Sequence, residues 1–357
     1  MAAPIMFPAG RLRSEALRLQ AVEAQTTHDA AMSTRSPARG RAPDVLVVGR
    51  LLADIYPNQL ETPLSEIESF TRFVGGFAGN VATGLARLGV ATRILSRVGD
   101  DGHGEFCRAF LEREGVDTSW LGVDPTYRTG LAFCEAWPPD HFPITYYRTP
   151  TCPDWEIAFA DFPLDEARDI PWCLLTGTGF ARSPSRDIHF ALAEERARSA
   201  TVLDLDWRSM LWDGTRTYRT YVRALAPFVD LVIGNESEFE AAFGGDPLEA
   251  ARGVLALGPR AAILKRGGAG VRAISGEGEQ DIPGLPVQVV NGLGAGDAFC
   301  ASLLDGLLRG ETLAESCRRG NAAGAIVASR LSCSLAMPTR AEVDHLLETG
   351  EVPEQPG

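Results

Sequence analysis

From Asp44 onward, short apolar runs alternate with stretches of helical period, and this alternation constrains the fold more than any other feature of the chain. The runs are "DVLVVG" (44–49), "TRILSRVG" (92–99), "WCLLTGT" (172–178), "TVLDLD" (201–206), "DLVIGN" (230–235) and "AAILKRGG" (261–268), each flanked by turn residues. Helical periodicity lies between them, at 79–89, 103–115, 187–199, 216–226, 236–243 and 247–257. Parallel strands need long crossovers, usually helices, so the pattern predicts an α/β fold with a largely parallel sheet and helices on both faces. Ligands of such sheets sit outside the carboxyl ends of the strands, and functional residues are expected there. Two segments break the alternation. Residues 55–74 and 128–148 are β-like and proline-interrupted, and are expected to form a small β lid that keeps water from a reactive centre. The expected organisation is one domain over 43–350 followed by a flexible tail, 351–357.

Residues 1–42 stand outside the pattern. "MSTRSPARGRAP" is rich in Ser, Arg, Pro and Gly, so the segment is expected to be a disordered extension, with Met32 an alternative start. No run approaches the length that spans a membrane, and the expected location is the cytoplasm. A net charge of −13 over 357 residues argues against general binding to nucleic acid or an anionic membrane. An anionic ligand must then be met by locally placed Arg and Lys. The seven cysteines are odd in number and scattered, with no C-x-x-C, which supports neither a disulfide framework nor a zinc site. The five histidines never fall at metal-ligand spacing.

The chemistry concentrates in two glycine-rich turns that open into helices. In "VNGLGAGDAFCASLLDGLLRG" (290–310), Gly292, Gly294 and Gly296 permit a sharp turn and close approach to a ligand, and bare amides at a helix start attract anions. Asp297 in that turn has two readings: an acid that complements the helix dipole, or a general base beside a phosphate. In "GGFAGNVATGLARLG" (75–89), Gly75 and Gly76 precede a helix with Asn80 in its first turn, and amides there can bond the hydroxyls of a polyol. Neither stretch carries the G-K-[ST] ending of a Walker loop.

Taken together, the two turns resemble those of the ribokinase-like, or PfkB, carbohydrate kinases, over roughly residues 43–345. The resemblance implies a ribokinase-like fold and an ATP- and Mg2+-dependent phosphotransferase. Asp297 would be the base, with the amides of Gly294, Ala295 and Gly296 as the anion hole. Gly75, Gly76 and Asn80 would contact the sugar. Asn235 and Glu238 in "NESE" match the N-x-x-E motif and would organise magnesium through waters. Lys265, Gly267 and Gly270 of "KRGGAG", with Asn321, would lie along the nucleotide. The chain departs from the common D-T-x-G-A-G-D by Asn291 and Gly292, which bears on how magnesium or a monovalent cation is held.

The N-x-L-G-A-G-D form, together with "GRLLADIYPNQLETPLSEIESFTRFVGG" (49–76), "FCEAWPPDHFPITYYRTPTCPDWEI" (133–157) and "LDLDWRSMLW" (203–212), is similar to the 5-dehydro-2-deoxygluconokinase branch of myo-inositol breakdown. By that resemblance Asp54 binds substrate hydroxyls, Arg148 and Arg208 face a sugar acid, and the 6-hydroxyl of 5-dehydro-2-deoxy-D-gluconate is phosphorylated. A homodimer through the lid is also expected. The competing expectations are a 2-keto-3-deoxygluconate kinase and a non-catalytic sensor of sugar acid or nucleotide on a kinase fold.

Overall fold

The computed structural model describes residues 42–196 and 199–354. The strands are β1 (Val45–Val48), β2 (Leu52–Pro57), β3 (Phe70–Gly75), β4 (Thr92–Gly99), β5 (Asp117–Asp124), β6 (Leu131–Cys134), β7 (Ile144–Tyr147), β8 (Trp172–Thr176), β9 (Ala200–Asp204), β10 (Leu231–Asn235), β11 (Ala261–Lys265), β12 (Val271–Ser275) and β13 (Gly278–Ile282). The helices are α1 (Phe77–Arg87), α2 (Gly102–Arg113), α3 (Leu164–Asp169), α4 (Ser185–Glu195), α5 (Thr215–Leu225), α6 (Glu236–Phe243), α7 (Pro247–Gly253), α8 (Ala295–Leu308), α9 (Leu313–Ala328) and α10 (Arg340–Thr349).

A nine-stranded sheet runs in the order β13-β12-β11-β10-β9-β8-β1-β4-β5 and is parallel from β11 to β5. All six apolar runs read from the sequence are strands of this sheet. Their continuous hydrophobicity follows from burial on both faces: Val45 and Val47 of β1 pack with α1, α8 and α9, while Leu46 and Val48 pack with α4, α5 and α6. Three strands lack that signal. The edge strand β5 (DTSWLGVD) has a partly polar face, and the antiparallel β12 and β13 close the opposite edge, with β13 (GEQDI) exposed until Ile282.

The two insertions pair into a second sheet, ordered β3-β2-β6-β7. Alternation along β2 places Leu52, Asp54 and Tyr56 on one face, and all three are buried. The second sheet is stitched to the main one at several points. Tyr56 meets Cys333 at 2.8 Å through its hydroxyl, which also accepts a 3.3 Å hydrogen bond from Asn291. Arg148, just beyond β7, donates to Asp154 Oδ2 at 3.0 Å and also pairs with Oδ1, and Oδ2 accepts from the Leu51 amide at 3.0 Å.

The expected extension, residues 1–42, lies outside the described residues apart from Ala42, as do 355–357 of the tail. Residues 351–354 have no regular structure, but Arg330 donates to the Pro353 carbonyl at 3.4 Å. Among the described residues no helix is long and apolar enough to cross a membrane.

Arg148 and Asp154 are 3% and 1% exposed, so removing one partner strands a buried charge. Asp154→Ala should cost about 3–5 kcal/mol of stability. Chemical denaturation checks this; a loss within the range of a surface ion pair, about 0–1 kcal/mol, would contradict it.

Candidate active site

The carboxyl ends of adjacent parallel strands bring polar side chains into one row. Lys265 ends β11, Asn235 ends β10, Asp204 ends β9, Thr176 ends β8, and Arg50 follows β1 by two residues. Above the row lie the amino ends of α1 and α8. Gly76 starts α1 at φ 84°, and a Cβ there would fall 2.5 Å from the Arg50 carbonyl oxygen. Only glycine satisfies both the dihedral and the contact. At Gly75 a Cβ would fall 2.1 Å from the Asp54 carboxyl, so this glycine makes room for the acid.

About two turns into each helix, α1 and α8 meet through small residues: a Cβ on Gly84 would stand 2.8 Å from that of Ala301. Asn80 and Asp297 each lie four residues earlier, on the same helix faces. There Asn80 Nδ2 donates to Asp297 Oδ2 at 2.7 Å, while Asn80 Oδ1 is buried without a partner among the described residues. Asp297 is therefore not the N-cap of α8. That position is Gly294, in the left-handed region, and no side chain caps the helix, so its first amides stay open. Lys265 Nζ lies 3.4 Å from where a Cβ on Gly296 would be, adding a cation to the positive end of the helix.

The carboxylates divide into two groups. Burial pushes Asp297 up to about 7, with Asp206 and Asp204 adding to the rise against Asn80 and Arg50. Burial likewise raises Asp54 to about 7, with Arg50 opposing and Asp297 adding. At Asp206, burial disfavours charge, but Arg208, Arg50 and the hydroxyls of Thr178 and Thr176 overcome it and hold the acid at about 2. Asp206 has φ 31°, left-handed backbone that aspartate tolerates better than most residues.

Arg208 lies 3.3 Å from Asp206 and 3.6 Å from Glu238, with 35% of its side chain exposed. Arg148, expected beside it, is paired with a protein acid: Asp154 holds both its terminal nitrogens, and its guanidinium lies 4.1 Å from the centre of the Trp155 ring. A different arginine reaches the cluster. Arg50, 6% exposed, donates to Thr178 at 3.2 Å, to Tyr146 of β7 at 3.4 Å and to Asp206 at 3.5 Å. Sequence reasoning overlooked Arg50, Asp204, Asp206 and Tyr146. The available signal was a charged residue at the end of an apolar strand, in "VLVVGR" and "TVLDLD".

Asn235 and Glu238 form a reciprocal capping box at α6: Asn235 Oδ1 accepts from the Glu238 amide at 2.9 Å, and Glu238 Oε2 accepts from the Asn235 amide at 2.7 Å. Lys265 donates to Asp204 at 3.0 Å, and the Cys300 thiol reaches the same oxygen at 3.1 Å. In the "GGAG" turn, Gly270 is closed in, since a Cβ would lie 2.2 Å from the Ile282 carbonyl oxygen, whereas Gly267 is open at φ 55°. Asn321 Nδ2 donates to the carbonyls of Ile282 and Pro283 at 3.2 and 3.0 Å and so anchors the loop after β13. Asn291, where the resemblance led us to expect aspartate, donates to Tyr56 and to the Leu331 carbonyl at 2.7 Å and accepts from the Leu293 amide at 3.1 Å. A carboxylate could not make the two donations.

Residues 42–340 match the family described as pfkB family carbohydrate kinase. The chain belongs to that family. It is a carbohydrate kinase of ribokinase-like fold, transferring a phosphoryl group to an alcohol. A relative from Geobacillus kaustophilus (strain HTA426), named 5-dehydro-2-deoxygluconokinase, is 34% identical over 85% of this chain and 93% of its own length. Aminoimidazole riboside kinase from Salmonella enterica, solved with aminoimidazole riboside and an ATP analogue, is 25% identical with a TM-score of 0.73, covering 85% of this chain and 99% of its own. Fructokinase from Vibrio cholerae O395 shares the fold at a TM-score of 0.77 and 22% identity, covering 86% of this chain and 99% of its own.

A hydrogen bond to the charged form of an acid favours that form, so Asn80→Ala should raise the Asp297 midpoint further above about 7. Titration of the carboxyl carbon by NMR reads this directly; an unchanged or lower midpoint would contradict the coupling.

Proposed function

We propose that this carbohydrate kinase uses ATP and magnesium to phosphorylate the 6-hydroxyl of 5-dehydro-2-deoxy-D-gluconate, a step of myo-inositol breakdown. The observation that carries the reading is the pairing of Asp297 with Asn80 beside the uncapped amino end of α8. The sugar acid is supported by the 34% identical relative and by the arginines gathered around Asp206.

ATP supplies the transferred phosphoryl group, and magnesium on its phosphates offsets their charge. The residues present fit that pair. The open amides of Ala295 and Gly296, with Lys265 alongside, suit a phosphoryl oxygen. Among the described residues no group of three His, Cys, Asp or Glu could hold a metal ion. Asn235 and Glu238 therefore suit a magnesium ion that keeps its waters and takes its remaining ligands from phosphate. Gly267 and Gly270 shape the turn assigned to the nucleotide, and Asn321 supports it by holding the neighbouring loop.

In this reading Asp297 takes the proton of the attacking hydroxyl. Its raised midpoint suits a base working near neutrality. Asn80 holds the carboxylate in place through Nδ2 and presents Oδ1 to a substrate hydroxyl. Asp54, whose oxygens have no hydrogen-bond partner among the described residues, takes other hydroxyls on the side of the small sheet, which shields the site from water. A sensor would need no base placed against an anion-binding turn.

The test is ADP release from ATP with purified protein, screened over sugar acids and neutral sugars. The expected outcome is the highest kcat/KM for 5-dehydro-2-deoxy-D-gluconate. A preference for 2-keto-3-deoxygluconate would reassign the acid, and a preference for neutral sugars would reject acid specificity. Asp297→Asn should lower kcat by about 10²–10⁴-fold with ATP binding retained. Because the base acts deprotonated, wild-type kcat/KM should rise with pH through about 7 and level above it. Near wild-type turnover in the variant would remove the base assignment.

A further inference from the structure

We infer that Arg50 is a specificity-determining residue of this kinase, holding the acceptor's carboxylate jointly with Arg208. The inference rests on the sugar-acid reading above and names the residue that makes the site acid-selective.

Arg50 and Arg208 come from different strand ends and converge on one acid. Asp206 Oδ2 lies 3.5 Å from Arg50 and Oδ1 lies 3.3 Å from Arg208. Arg208 has a second acid at 3.6 Å in Glu238, whereas Arg50, nearly closed off from solvent, has Asp206 as its one carboxylate at ion-pair distance among the described residues. That acid is shared with Arg208 and stands 3.5 Å away, so a ligand carboxylate could add a charge-assisted bond to the free donors of Arg50. A neutral sugar in the same place would forgo that bond.

The hydrogen bonding of Arg50 supports a ligand role over a purely structural one. Only three of the guanidinium's five N–H donors have protein acceptors, and these bonds are long at 3.2, 3.4 and 3.5 Å. The group is located but not saturated. Arg148 differs in its partner: one carboxylate, Asp154, meets both of its terminal nitrogens in a buried pair, whereas the bonds of Arg50 are divided among Thr178, Tyr146 and Asp206. Arg50 is also on rigid ground, since its carbonyl accepts from the Ala78 amide at 3.0 Å, at the start of the helix that carries Asn80. It acts electrostatically on both Asp54 and Asp297, so an acid bound here lies within the field of the reacting centre. Its contact with Tyr146 places it beside the small sheet.

The test compares 5-dehydro-2-deoxy-D-gluconate with its 1-carboxamide, which keeps the shape and removes the charge. In Arg50→Gln the ratio of kcat/KM for acid over amide should fall about 10- to 100-fold, as expected for loss of a charged hydrogen bond. The acid should also lose its advantage over the amide in raising the variant's Tm. If Arg50→Gln does not fold, Arg50→Lys carries the test: it keeps the charge but not the planar fork, and the acid-to-amide ratio should again fall. A wild-type ratio in either folded variant, or an equal loss on both substrates, overturns the role of Arg50 and leaves the sugar-acid reading standing. A wild-type enzyme that does not prefer the acid over the amide overturns both.

Discussion

The close approach of α1 and α8 is the contact on which the site depends. Gly84 and Ala301 leave so little between the helices that an added methyl at 84 would collide with Ala301. One turn earlier, the same closeness brings Asn80 and Asp297 to 2.7 Å. Both helices begin on a glycine with φ 84°, so their amino ends turn toward the row of strand ends rather than continuing the preceding chain. The small side chains within the helices and the glycines at their starts thus serve one end: a carboxylate, an amide and a set of open N–H groups in one place.

Around that point the protein uses identical chemical groups for opposite purposes by changing their surroundings. Asp206, between two arginines and two threonine hydroxyls, is held as a permanent anion at about 2. Asp297 and Asp54 are denied comparable compensation and are pushed up to about 7. The first stays charged between its cations, and the others can change protonation near neutrality. Lys265 and Asp204 form a second fixed pair near the start of α8, with the Cys300 thiol on the same oxygen. The site is therefore charged in compartments: acids with raised midpoints, Asp297 and Asp54, lie near cations that are paired with other acids, Arg50 and Lys265.

The small sheet contributes more than a cover. Tyr56 on β2 accepts from Asn291 in the loop before α8, and Tyr146 on β7 reaches Arg50 beyond β1. Asn291 explains the departure from the aspartate expected at its position, because it joins a tyrosine hydroxyl, a carbonyl and an amide in one side chain. The small sheet, the loop before α8 and Arg50 are thus linked by hydrogen bonds.

The sequence by itself determined the layered α/β plan, the two insertions that become a separate sheet, and the two glycine-rich turns with Asp297 and Asn80. These features are local: apolar period, turn residues and helix starts are written in consecutive residues. It did not reveal β5, β12 or β13, whose exposed edges carry no apolar run, and the resemblance that pointed to Arg148 did not disclose its pairing with Asp154. Only the tertiary structure decided which acid folds against each arginine. Asp154 lies six residues from Arg148 and meets both its terminal nitrogens, whereas Asp206 lies 156 residues from Arg50 and engages it at 3.5 Å. Pairings across that distance are set by the register of the sheet and the approach of helices, and no local pattern encodes them.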